Sequence, residues 1–202
     1  EIATQFSSAY SGTIAPDQVA ITQGCNQAFC AAISTLAGAG DEVILPCPWY
    51  FNHKMWIDVM GVEATPLPTG ANLLPDASLA HQLITKKTKA IVVVHYAGVA
   101  VDMDVIMEIA KKHKIYVIED AAHCWDVHAT DLVERGDYIC YSFKAIKFLT
   151  TGDGGILICP PETEIEARTL LTQAGFFVKI VEVLLYQKAY CLCFLLLLKR
   201  CS

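Results

Sequence analysis

The stretch "AIVVVHY" at residues 90–96 sets five apolar residues in a row before its first polar one. A strand of that composition has both faces buried, which in a water-soluble chain means a parallel sheet covered by helices on either side. Residues 43–46 and 115–118 carry runs of the same kind, and residues 19–22, 62–67, 137–143 and 155–159 also read as strands. Between them, apolar residues return at helical spacing over 25–36, 52–60, 76–84 and 105–113. A further helix is expected over 162–173, opened by "PPETE", whose proline and acids suit a first turn. The alternation predicts an α/β fold built on a three-layer, mostly parallel sheet. In the run 43–46 the proline is expected to stop the strand. Ligands of such sheets collect at the carboxyl ends of the strands, so residues 24–26, 48–50, 95–96, 120–123 and 142–147 become the positions of interest.

With 202 residues, the chain is long enough for one sizeable core, and 54% apolar with 18% charged residues fits a buried α/β core rather than a disordered segment. A net charge of −6 gives no electrostatic footprint for nucleic acid, which is set aside as a partner. The nine cysteines are odd in number and lack any CxxC pair, so they are expected to be buried small hydrophobes in a reducing compartment. Residues 1–10 carry neither the basic region nor the apolar run of a signal peptide, and a cytoplasmic location is expected. At the other end, residues 189–198 supply about ten consecutive apolar residues, roughly half of what a spanning helix needs. The expected organisation is one large domain over 1–175 and an apolar tail over 176–202 that does not cross a membrane.

The strand ends carry a specific set of chemical groups. "TQGCNQAF" puts Gly24, Cys25 and Asn26 at the opening of a helix, where backbone N–H groups suit a phosphate. "PCPWYFNHK" places Trp49 and Tyr50 directly after a strand, where a ring could be stacked. "YVIED" ends in Asp120, a carboxylate suited to a pyridinium nitrogen. "YSFKAIKFLTTGDGG" offers two lysines, Lys144 and Lys147, either of which could bind an aldehyde through its amine. Together these are the needs of pyridoxal 5'-phosphate. Taken one at a time, each residue has a plainer use: Gly24 as an ordinary turn, Tyr50 as a boundary aromatic, Asp120 as a turn cap, Lys147 as a solvated loop residue. The order and the shared location at strand ends favour the cofactor. A nucleotide loop formed by "TTGDGG" lacks the spacing of a known phosphate-binding motif, and "HCWDVH" lacks third and fourth metal ligands.

Residues of about 85–175 resemble the DegT/DnrJ/StrS sugar aminotransferases, through "TKAIVVVHYAGVAVDMDVIMEIAKKHKIYVIEDAAH" and "GDYICYSFKAIKFLTTGDGGILI". The resemblance implies Lys147 as the Schiff-base lysine, five residues after a phosphate-binding Ser142. It also implies Asp120 as partner of the pyridine nitrogen and His123 beside the ring hydroxyl, while Lys144 falls at a variable position. Residues of about 1–79 are similar instead to class I/II, aspartate aminotransferase-like enzymes, through "APDQVAITQGCNQAFCAAISTLAGAGDEVILPCPWYFNHKMWIDVMGVEATPLP". That similarity implies Gly24, Cys25 and Asn26 around the phosphate and Tyr50 stacked on the ring. The two stretches meet near residues 80–85 and share one fold type, whose members are typically homodimers. "SGT" at 11–13 imitates a phosphate motif but precedes the first strand. The resemblance ends near residue 175, so the small C-terminal domain is expected to be missing, with only Arg135, Arg168 and Arg200 left as candidates to grip a carboxylate. Phe148 and the segment "CWDVHATDLVER" also depart from the family pattern. The implied activity is transamination between a small-molecule amino donor and a keto acceptor, either a keto-sugar nucleotide or a keto acid. The alternative is a fused or truncated module that keeps the cofactor domain without turnover.

Overall fold

The computed structural model describes residues 3–4, 14–124, 135–147 and 152–160. Expectations about residues 11–13, the "WDVH" part of 125–128, Phe148, the helix at 162–173, Arg168, Arg200 and the tail at 176–202 lie outside the described residues. Seven strands form one sheet: β1 Val19–Thr22, β2 Glu42–Cys47, β3 Glu63–Pro68, β4 Thr88–Val94, β5 Tyr116–Asp120, β6 Tyr138–Ser142 and β7 Gly155–Ile158. Their spatial order is β1-β7-β6-β5-β4-β2-β3, and the ladders from β3 through β6 are parallel. Only β7 runs against its neighbours, β6 on one side and β1 on the other.

The double-sided burial expected of these strands follows from period-2 alternation. In β4, Ala90 and Val92 join the cluster beneath helices α1 Cys25–Leu36 and α2 Phe51–Val59. Ile91 and Val93 join the opposite cluster, beneath α3 Ala77–Leu83 and α4 Met103–His113. Val43 and Leu45 divide from Ile44 in the same way along β2. Helix α1 contributes Ala28, Ala31 and Ala32 together with the fully buried Phe29 and Ile33, a face of small residues that lets it lie close on β5, β6 and β7. Asp76 caps α3 by accepting from Ser78 N–H at 3.1 Å. Asp102 caps α4 through Val105 N–H at 3.3 Å, while Lys111, Lys112 and His113 sit in its last turn, where the helix dipole favours positive charge.

Three of the boundaries that differ from the sequence expectation bear on the site or on the sheet around it. β2 continues through Pro46 to Cys47, because its ladder with β4 has ended at Ile44 and the strand is a sheet edge beyond that point, where proline is tolerated. β4 stops at Val94 rather than at residue 96, and the chain turns through a short helical segment, Tyr96–Gly98. β5 reaches Asp120, so that carboxylate stands on the strand itself. β2 and β4, on either side of residues 80–85, are hydrogen-bonded neighbours in one sheet. The six described cysteines are free thiols, and Cys25, Cys30, Cys140 and Cys159 are buried. No helix among the described residues is long and apolar enough to cross a membrane.

Gly155 lets β7 lie close against the turn from β1 into α1. A Cβ at this position would stand 2.5 Å from the Gly24 carbonyl carbon, 2.6 Å from Thr22 Oγ1 and 2.8 Å from Cys25 N. Two of those atoms are backbone and cannot rotate away. Gly155→Ala is therefore expected to cost about 3 kcal/mol of stability, read from urea unfolding. An unfolding midpoint unchanged from the parent chain would show that the strand and the turn can separate freely.

Candidate active site

The carboxyl ends of β4, β5 and β6 and the opening of α1 surround one cleft of about 550 Å³. Of the eight residues singled out from the sequence, Cys25, Asn26, Tyr50, Asp120, His123, Ser142 and Lys147 line it. Gly24 is not among the lining residues; it caps α1 immediately before Cys25. Residues from four separate stretches of chain thus converge, as the strand-end argument requires.

Asp120 forms the buried floor. Its Oδ2 lies 3.1 Å from His53 Nε2, and its Oδ1 accepts from Ala122 N–H at 2.8 Å and from the Cys25 thiol at 3.6 Å. Burial alone would push this carboxyl up. The hydrogen bond and charge of His53, with the Ala122 amide and the Cys25 thiol, outweigh it and hold the group below the usual carboxylate range. Asp120 is therefore an anion kept out of water, with neighbours that favour its charge. Cys25 shows the opposite effect: its hydrogen bond to Cys140, then burial and the Asp120 charge, push the thiol well above its ordinary value.

His53 is the residue the sequence reading missed. It sits in the first turn of α2, and its ring stacks on Phe29 with centroids 4.0 Å apart. Tyr50, which caps the same helix, meets that ring edge-on at 5.1 Å. The available signal was the spacing in "YFNH": His53 follows Tyr50 by three residues, so a helix beginning at Phe51 puts both on one side. Asn52 Nδ2 donates to the Tyr50 hydroxyl at 3.0 Å. Burial and the Asp120 charge push the Tyr50 phenol up, so it remains protonated at neutral pH.

Both lysines line the cleft, but with different neighbours. Lys144 runs past the opening of α1, where its Cε would lie 3.3 Å from a Cβ placed on Gly24. Lys147 lines the cleft, and its charge, after burial, is the second influence that pushes His123 below its ordinary value. The backbone ties them together, with Lys147 N–H donating to Lys144 C=O at 2.9 Å. His123 itself accepts from Ala97 N–H through Nδ1 at 3.2 Å, and Tyr96 packs edge-on against its ring at 5.7 Å. The rim is apolar and open: Ile146 is 88% exposed and Phe51 63%. Among the described residues, no cluster of histidine, cysteine and acidic side chains could hold a metal ion.

Comparison with known proteins agrees with this geometry. The model of the DegT/DnrJ/EryC1/StrS aminotransferase family matches residues 4–184. A curated relative, the UDP-4-amino-4-deoxy-L-arabinose–oxoglutarate aminotransferase of Shewanella sediminis, is 37% identical over 133 residues, which make up 65% of this chain and 34% of the relative. The chain thus spans about a third of that relative's length. Among solved structures, the aminotransferase TlmJ from Streptoalloteichus hindustanus superposes with a TM-score of 0.71 at 29% identity, over 82% of this chain and 46% of that one. An aspartate aminotransferase from Thermotoga maritima gives a TM-score of 0.73 at 23% identity, over 86% of this chain and 51% of that one, and so shares the fold. With the family model covering most of its length, the chain belongs to the DegT/DnrJ/EryC1/StrS aminotransferase family.

Proposed function

We propose that this chain is the cofactor-binding part, residues 1–175, of an aminotransferase that uses pyridoxal 5'-phosphate. The observation that carries the proposal is Asp120, a buried carboxylate held in its charged form by His53 at the floor of a cleft that also contains two lysines. Such an anion suits a protonated ring nitrogen. The cofactor fits the residues present. Gly24, Cys25 and Asn26 would take its phosphate at the opening of α1 with Ser142, and Tyr50 would cover the ring. His123 would face the ring hydroxyl. When bound, the cofactor supplies an aldehyde for covalent capture of an amine and a cationic ring that withdraws electrons from the attached carbon.

The chain's own groups have separate tasks. Lys147 provides the amine that holds the cofactor and, once displaced, can carry a proton. Asp120 keeps the ring cationic, and His53 keeps Asp120 ionised and oriented. Lys144, beside Gly24, adds positive charge at the phosphate corner. The substrates would be a small-molecule amino donor and a keto acceptor. The name of the Shewanella relative pairs a nucleotide sugar with the keto acid oxoglutarate, which supports a nucleotide sugar as one of the two substrates. Exposed Phe51 and Ile146 at the rim support a homodimer, in which a second copy would cover them. The buried free thiols suit a reducing, cytoplasmic setting.

The test is covalent trapping. The chain is purified with pyridoxal phosphate, reduced with borohydride and mapped by peptide mass. A stable adduct on Lys147 that disappears in Lys147→Ala and persists in Lys144→Ala is the expected result. A folded sample that yields no specific adduct would remove the enzyme reading.

A further inference from the structure

Glu119 and His95 are both fully buried, yet neither faces the cleft directly. Glu119 precedes Asp120 on β5, so its side chain leaves the opposite face of the sheet. Its Oε2 lies 2.9 Å from His95 Nε2, and its Oε1 accepts from the backbone N–H groups of Arg135 and Gly136. A Cβ at position 136 would stand 2.9 Å from Oε1, so any side chain there would push Glu119 aside. The other nitrogen of His95, Nδ1, accepts from Val101 N–H at 3.3 Å. A ring nitrogen that accepts cannot carry the proton, so His95 is the Nε2–H tautomer donating to Glu119.

The segment fastened in this way runs from His95 to Val101, the connection from β4 to α4. Within it Ala97 holds a left-handed conformation, φ 53° and ψ 26°, which a residue with a Cβ adopts only when its surroundings impose it. That conformation brings Ala97 N–H to His123 Nδ1 at 3.2 Å. The tautomer argument then repeats for the second histidine. With Nδ1 accepting, the proton of neutral His123 resides on Nε2, on the side away from Ala97.

We propose that the buried Glu119–His95 pair positions the cofactor cleft from behind: it clamps residues 95–101 so that the Ala97 amide holds His123 as its Nε2–H tautomer. His123 then offers the cleft a hydrogen-bond donor. An oxygen substituent on the bound ring would be met by that donor, and this part rests on the function proposed above. Burial and the nearby Lys147 charge both lower the affinity of His123 for a second proton, which keeps Nδ1 free to accept. Glu119→Gln breaks the arrangement for a definite reason. If its oxygen accepts from the 135 and 136 amides, its NH₂ group confronts the proton on His95 Nε2. Reversing the amide confronts those two N–H groups instead.

The experiment is nitrogen NMR of the labelled chain without cofactor. Expected are a single Nε2–H tautomer for His123 and scalar couplings across two hydrogen bonds, Ala97 N to His123 Nδ1 and Val101 N to His95 Nδ1. Glu119→Gln should abolish both couplings with the far-UV spectrum unchanged, and should weaken pyridoxal phosphate binding about tenfold to 100-fold. If that variant does not fold, Gly136→Ala serves, because its methyl group displaces Glu119 from outside the cleft and should weaken both couplings. An Nδ1–H tautomer for His123, no coupling in the parent chain, or couplings undiminished in a folded variant would overturn the proposal. Couplings present in a chain that forms no lysine adduct would overturn the assigned function and leave the clamp standing.

Discussion

Lys147→Ala is expected to lower amino transfer by about 10³-fold or more, because it deletes both the covalent anchor and the proton carrier. Lys144→Ala should behave differently. Lys144 runs past Gly24 at the opening of α1, so its loss should raise the concentration of cofactor needed for half saturation while leaving kcat within about tenfold. Rates of the half-reaction with an amino donor, followed at the cofactor's absorbance band and at several cofactor concentrations, separate the two effects. Equal losses of kcat in both variants would mean that the two lysines share the chemistry, and that the corner assigned to each is wrong.

The second large effect belongs to Asp120. Asp120→Asn keeps the shape but removes the anion, leaving His53 buried without a charged partner; its Nδ1 already has no hydrogen-bond partner among the described residues. Breaking one side of a buried pair costs about 3–5 kcal/mol, which at about 1.4 kcal/mol per factor of ten corresponds to roughly 10²- to 4 × 10³-fold in rate if expressed at the ring nitrogen. The pH dependence of stability has a fixed sign. The folded carboxyl titrates below its unfolded value, so its stabilisation is present above about pH 4 and is lost as the pH falls through the folded value. The unfolding free energies of parent and Asp120→Asn should therefore differ at pH 7 and converge in acid. A difference that stays constant from pH 7 to pH 3 would show that the ionisation of Asp120 does not contribute to stability.

Much of this was legible because it is local. A strand buried on both faces must be apolar at every position, so β4 and β5 are visible in "AIVVV" and "YVI" without any partner being known. Strand ends in such a sheet face one side, so residues next to them could be grouped before any contact was known. Boundaries were less legible where the neighbour decides. Pro46 stays in β2 because the β4 ladder has already ended, which depends on register. His53 was passed over for a similar reason: in "FNHK" it reads as a polar helix residue, and only the stacking of α2 beside α1 carries it under Asp120.

The sequence by itself determined the alternation of strands and helices, the parallel sheet, and the presence of a carboxylate, an aromatic ring, a helix opening and two lysines at strand ends. Those follow from side-chain periodicity and chain order, which act over a few residues. Tertiary structure decided which lysine shares a corner with His123, which histidine charges Asp120, and that Glu119 and His95 meet behind the sheet. Each is a meeting of groups far apart in the chain, where burial multiplies the strength of a charge or a hydrogen bond and the packing of whole elements sets the distance.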